Sequence, residues 1–127
     1  METIVSTVRK SFASNVTLDV KWRKEQLKNL LRMISENEQE LVDALKKDLN
    51  KNHLETSVFE FGLIRNSVAH TLSHIDAWMK PVAAAPPVQL KLTYKTHVQK
   101  QPYGTVLIMG AWNYPYQLTY ELNLNQN

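Results

Sequence analysis

The chain has 127 residues, the size of one ordinary domain, and 43% of them are hydrophobic, enough to build a core. Fifteen Lys and Arg face twelve acids, giving a net charge of +3. The two signs are mixed along the chain, which favours a solvated surface over a nucleic-acid footprint. There are no cysteines, which excludes disulfides, thiolate metal sites and a cysteine nucleophile within these residues. No run approaches the ~20 apolar residues of a membrane span, and the N-terminus lacks a long apolar signal core. A soluble protein, cytoplasmic by default, is expected. No internal repeat is visible.

Val5, Val8 and Phe12 recur at helical spacing and predict a short amphipathic helix from Thr3 to Ser14. A second helix is expected from Asp19 to Glu36, with Leu27, Leu30, Leu31 and Ile34 on one face and Thr17 or Asp19 as its cap. Asn37 followed by Glu40 resembles a capping box, from which a third helix carries Leu41, Leu45 and Leu49 to the end near Asn50–Asn52. The longest helix is expected from Glu55 to Met79, striped by Phe61, Ile64, Val68, Leu72, Ile75 and Met79, and stopped by Pro81.

The stretch "PVAAAPPVQ" reads as a proline-rich linker without helical or strand period. From Leu90 the period becomes two: Leu90, Leu92, Tyr94, Thr96 and Val98 alternate with Lys91, Thr93, Lys95, His97 and Gln99, a strand with one apolar and one wet face. "QPYG" (Gln101–Gly104) is turn-like. Thr105–Met109 then reads as a short strand buried on both faces, as in a parallel sheet, ended by Gly110. Such a strand needs partners for its backbone polar groups, and parallel partners need crossovers of a dozen or more residues. The expected fold class is α/β: N-terminal helices followed by the first strands of an incomplete sheet.

Several chemical readings fall away. His70 and His74 have the i, i+4 spacing of zinc-protease helices, but Thr71 stands where those helices carry glutamate, and no third ligand is obvious, so no metal is expected. The three glycines, Gly62, Gly104 and Gly110, cannot build a Gly-rich phosphate loop. Lys91, Lys95 and Lys100 interleave with Leu92, Tyr94 and Tyr103, which a half-exposed strand explains better than nucleic-acid binding. "GAWNYPY" (Gly110–Tyr116) remains. One reading is a turn, with Asn113 supplying turn chemistry and Pro115 forbidding ladder pairing. The other starts from its place after an α/β strand, where ligands bind. An asparagine there offers amide donors to an oxygen that becomes negative, and Trp112 and Tyr114 can wall an apolar pocket. Composition leaves both readings open.

Three segments carry a resemblance: "KWRKEQLKNLLRMI" (Lys21–Ile34), "ENEQELVDALKKDLNKN" (Glu36–Asn52) and above all "PYGTVLIMGAWNYPYQLT" (Pro102–Thr119). The last is similar to the P-x-G-x-V-L-(I or V)-x-G-x-W-N-Y-P-x-x-L motif of the class 3 aldehyde dehydrogenases. Over residues 2 to 119 the chain resembles the N-terminal portion of that family.

The resemblance implies an aldehyde dehydrogenase-type, Rossmann-like domain. Residues 1–80 would be the helical part of the cofactor domain. Residues 81–101 would be a linker and a strand, around Leu90–Gln101, used in subunit association. Residues 102–119 would hold the first nucleotide-binding strand and the oxyanion loop, and residues 120–127 a divergent tail. It implies oxidation of a small-molecule aldehyde to a carboxylic acid with NAD or NADP, by a homodimer. A cysteine thiolate attacks the carbonyl, hydride passes to the nicotinamide, and a glutamate-assisted water hydrolyses the thioester. It implies that Asn113 is catalytic, donating to the oxyanion, that Trp112 lies by the cofactor, and that Tyr114 lines the substrate pocket. The resemblance stops at Thr119, before the family's cofactor-binding lysine, glycine-containing cofactor loop, glutamate and cysteine. The 127 residues alone are therefore expected to be inactive. The alternative is a non-catalytic truncated isoform acting as a helical interaction module. A membrane anchor, the aldehyde and the choice between NAD and NADP lie outside what the sequence reveals.

Overall fold

The computed structural model describes residues 2–87 and 94–124. Helix α1 spans Glu2–Ala13, α2 Val20–Glu36 and α3 Glu38–Leu49. Next comes a continuous helical rod. It begins with the short α4 (His53–Glu55), widens into a π-helical segment over Thr56–Gly62 and continues as α5 (Leu63–Trp78). Strands β1 (Val82–Ala84) and β2 (Thr96–Val98) follow, and α6 (Pro115–Leu124) ends the described chain.

Local chemistry sets these boundaries. Asp19 caps α2, its side chain accepting from the Lys21 N–H at 2.9 Å; Thr17, the other candidate, contributes only a backbone carbonyl, to Arg23. Asn50 ends α3 in the left-handed conformation, φ 54°, which asparagine adopts more readily than most residues. The capping box expected at Asn37 does not form. The Asn37 side chain instead donates to the Met33 carbonyl at 2.7 Å and so serves the end of α2, leaving the start of α3 without a side-chain cap. With one residue between the two helices, its side chain serves only one of them.

The core lies where α2, α3, the π-segment and α5 meet. Leu27, Ile34, Val42, Phe61, Ile64, Val68 and Ile75 are buried there, and Tyr116 and Tyr120 of α6 pack against them. Of the expected stripes, Leu27, Ile34, Leu45, Phe61, Ile64, Val68 and Ile75 are buried, whereas Leu30, Leu31, Leu41, Leu49 and Leu72 are only partly so and Met79 is exposed. Val42, outside the expected stripe of α3, is buried in its place, and α1, expected to bury Val5, Val8 and Phe12, contributes no buried residue. Salt bridges from Lys24 to Asp76 and from Arg65 to Glu38 tie α2 and α3 to α5. Both are partly exposed and each stabilises by less than about 1 kcal/mol.

The β region departs from the sequence reading in two places. The proline-rich linker does contain a strand: β1 pairs antiparallel with β2, in register Val82 to Val98 and Ala84 to Thr96. Four residues between prolines are too few to show a period, and the pairing comes from a partner twelve or more residues on. Of the strand expected from Leu90, residues 90–93 lie outside the described residues, and β2 itself is exposed on both faces. Thr105–Met109 forms no strand, and Leu107 and Met109 are 85% and 80% exposed. Among the described residues no strand lies beside it, so its amides find no ladder, and of its apolar side chains only Ile108 is half-buried. The turn expected at Gln101–Gly104 does not form, and these residues are irregular. Gly104 has φ +115°, a conformation that strains any other residue, and packs against the Phe12 ring of α1.

Phe61 is fully buried and stacks on Tyr116 at 5.7 Å between centroids. Phe61→Ala is expected to cost about 3–5 kcal/mol of unfolding free energy, read from the denaturant midpoint.

Candidate functional site

The sequence candidates sit at one place, the loop that feeds α6. Asn113 immediately precedes Tyr114, whose carbonyl accepts the first helical bond, from Leu118 N–H at 3.0 Å. Tyr114 is therefore the N-cap, and Pro115 occupies the first helical position, where its missing N–H costs nothing and its fixed φ suits the helix. A tyrosine offers no short side-chain oxygen to cap the amides that follow. They are served from the π-segment instead. One carboxylate oxygen of Glu60 accepts from Tyr116 N–H at 3.1 Å and from Gln117 N–H at 2.8 Å.

The other Glu60 oxygen holds Lys51 Nζ at 2.6 Å. This pair is buried, Glu60 completely and Lys51 to 8% exposure. The same ammonium lies 3.7 Å from the centroid of the Tyr114 ring, a cation–π contact in a desolvated place. Lys51 thus touches both the cap carboxylate and the N-cap residue. In the same first turn of α6, Tyr116 stacks on Phe61. Burial, and after it the neighbouring Glu60, pushes the Tyr116 hydroxyl above its ordinary pKa of 10.0.

The loop is closed on its other side by Gly110. A Cβ there would overlap the hydroxyl of Thr119 and lie 3.2 Å from its Cβ. The loop backbone therefore runs against α6 at a separation only glycine allows. Gly110 and Glu60 together hold Asn113 between the end of the Thr105–Met109 segment and the start of α6.

Trp112 is 78% exposed and Asn113 is exposed, whereas Tyr114 is half-buried with Lys51 against its ring. The three residues are adjacent, but only Tyr114 is engaged by the core. His70 and His74 lie away on α5, their rings 4.1 Å apart and flanked by Trp78. His74 Nδ1 is engaged by the His70 carbonyl and the Ser73 hydroxyl. Among the described residues no group of three metal-ligating side chains occurs, and no helix is long and apolar enough to cross a membrane.

Sequence reasoning missed Glu60 and Lys51. The available signal was negative. A helix opening on "YPYQ" carries no local cap, so its amides require a partner from elsewhere in the chain.

Comparison with known proteins defines the class. The family model described as "Aldehyde dehydrogenase family" matches residues 1–122, and the chain belongs to this family. Relatives include aldehyde dehydrogenase family 3 member H1 of Arabidopsis thaliana, 38% identical over 116 residues (91% of this chain, 24% of that protein). Aldehyde dehydrogenase family 3 comG of Dictyostelium discoideum is 36% identical over 118 residues (93% of this chain, 25% of that protein). Among solved structures, a substrate-bound Staphylococcus aureus AldH superposes with a TM-score of 0.92 at 34% identity, covering 97% of this chain and 27% of that one. The chain therefore belongs with the class 3 members, carries an incomplete aldehyde dehydrogenase-type domain, and spans about a quarter of the length of the curated relatives it matches.

Gly110→Ala is expected to displace the loop or Thr119 and to lower stability by about 1–3 kcal/mol, read as a shifted denaturant midpoint.

Proposed function

We propose that this chain supplies the oxyanion-stabilising loop of an aldehyde dehydrogenase that oxidises aldehydes to carboxylic acids with NAD or NADP. The supporting observation is the placement of Asn113. It is exposed, with Gly110 packed against α6 behind it and the anchored N-cap Tyr114 ahead. When a nucleophile adds to an aldehyde carbon, the carbonyl oxygen gains negative charge. A side-chain amide held in position donates a hydrogen bond to that oxygen and stabilises the charged state more than the neutral carbonyl. In this reading Asn113 is the donor, Tyr114 walls the aldehyde site, and Trp112 offers its exposed indole to the cofactor.

The described residues do not by themselves fit a dinucleotide. The α6 amides that could meet a phosphate are taken by Glu60, and the chain has no Gly-rich phosphate loop. The step assigned to this chain is therefore confined to the aldehyde oxygen. With no cysteine in the chain, a thiolate nucleophile must come from outside these residues. Association into a homodimer through the β2 region and a cytoplasmic location belong to the same proposal.

A second reading, a non-catalytic helical module, is favoured by the apolar surface at Leu107 and Met109. Such a surface in an isolated chain seeks a partner.

The test is aldehyde-dependent NAD(P)H formation by the complete gene product that carries this sequence, beside the purified 127 residues. The complete protein is expected to turn over and the 127 residues to show no rate above a blank. In the complete protein Asn113→Ala is expected to lower kcat by about 100- to 1,000-fold. An unchanged kcat would remove Asn113 from the chemistry. An inactive complete protein whose 127 residues bind a full-length subunit would favour the module.

A further inference from the structure

We propose that Glu60 is a positioning residue for Asn113, with Lys51 as the counter-charge that lets it serve. The inference rests on the oxyanion reading of Asn113 given above.

A carboxylate taken completely out of water must be held by several partners. Glu60 has three, and all lead toward the loop. Two are the Tyr116 and Gln117 amides, the second and third helical residues after the N-cap. The third is Lys51, whose ammonium also rests on the ring of the N-cap Tyr114. Glu60 stands in the sequence 53 residues before Asn113, yet it sets where α6 begins and hence where the residue ahead of Tyr114 is held. It reaches this position from the π-helical segment, whose i→i+5 turn carries the adjacent Glu60 and Phe61 both into the interior. Such turns occur frequently at functional sites. Phe61 stacks on Tyr116 while Glu60 binds its amide, so one turn grips α6 by side chain and backbone together.

The charge balance has a consequence for the reaction. An unpaired carboxylate near the loop would oppose negative charge developing on an aldehyde oxygen. Lys51, 2.6 Å from Glu60, cancels that charge and leaves the hydrogen bonds. Neither residue need touch substrate, since both act through the backbone of Tyr114–Gln117.

A double-mutant cycle in the complete gene product tests this. The kcat for aldehyde-dependent NAD(P)H formation is compared among wild type, Asn113→Ala, Glu60→Gln and the double variant. Glu60→Gln is expected to lower kcat by about 10- to 100-fold, with the aldehyde KM little changed. In the Asn113→Ala background the same change is expected to cost less than about twofold, because the group it positions is gone. Equal fold losses in both backgrounds, or no loss in either, would overturn the inference while leaving the oxyanion reading intact. Loss of that reading has a different signature, a wild type without turnover or an Asn113→Ala variant at full rate, and the inference falls with it. Where Glu60→Gln does not fold, Lys51→Met replaces it in the cycle, with the same expected non-additivity and the same overturning result.

Discussion

The Lys51–Glu60 pair does two jobs that are usually separate. It is a buried salt bridge, 2.6 Å long and almost wholly withdrawn from water, and it is the N-terminal cap of a helix more than fifty residues away in sequence. A buried pair of this kind is a weak source of net stability, because the cost of desolvating both charges offsets most of their attraction. Removing one partner is a different matter and costs about 3–5 kcal/mol, since the other charge is left unmatched in the core. The pair therefore specifies one arrangement more than it strengthens the fold. Only one placement of α6 presents two free amides to Glu60 while setting the Tyr114 ring against Lys51.

The rest of the structure supports that placement. The α2, α3 and α5 stripes form a core that buries Ile34, Ile64, Val68 and Ile75 almost completely. The π-segment emerges from this core and carries Phe61 and Glu60 to α6. Gly110 brings the loop close enough for α6 to close over it. Trp112 and Asn113 thus lie exposed at the edge of a packed helical base. Short loops held between well-packed elements are the common way of placing a polar group at a reacting centre.

Much of this was legible from residues. The helices up to Trp78 follow from their apolar periods, and Asp19, Asn50 and Pro81 mark boundaries close to those observed, whereas α6, which has no clear apolar stripe, was not read from the sequence. The loop motif stood out and pointed to the family. The capping geometry was not legible, because the contact spans 56 positions and no local pattern announces it. Glu60 lies beside Phe61, just where the period of the stripe starts, and a regular α-helical reading has no means of detecting a π-turn. The error at Thr105–Met109 has the opposite origin. Its composition reads as a buried strand, but a strand exists only with neighbours, and the described chain supplies none beside it. At Asn37 two helix ends compete for one side chain, and the earlier helix takes it.

The central claim is that Glu60 caps α6 and so fixes the loop carrying Asn113. Amide hydrogen exchange at Tyr116 and Gln117 measures this most directly, in the complete protein with and without Glu60→Gln. Both amides are expected to be protected in the wild type and to exchange about tenfold faster or more in the variant, with Ile64 and Val68 in α5 unaffected. Equal protection in the two proteins, or fast exchange already in the wild type, would contradict the account.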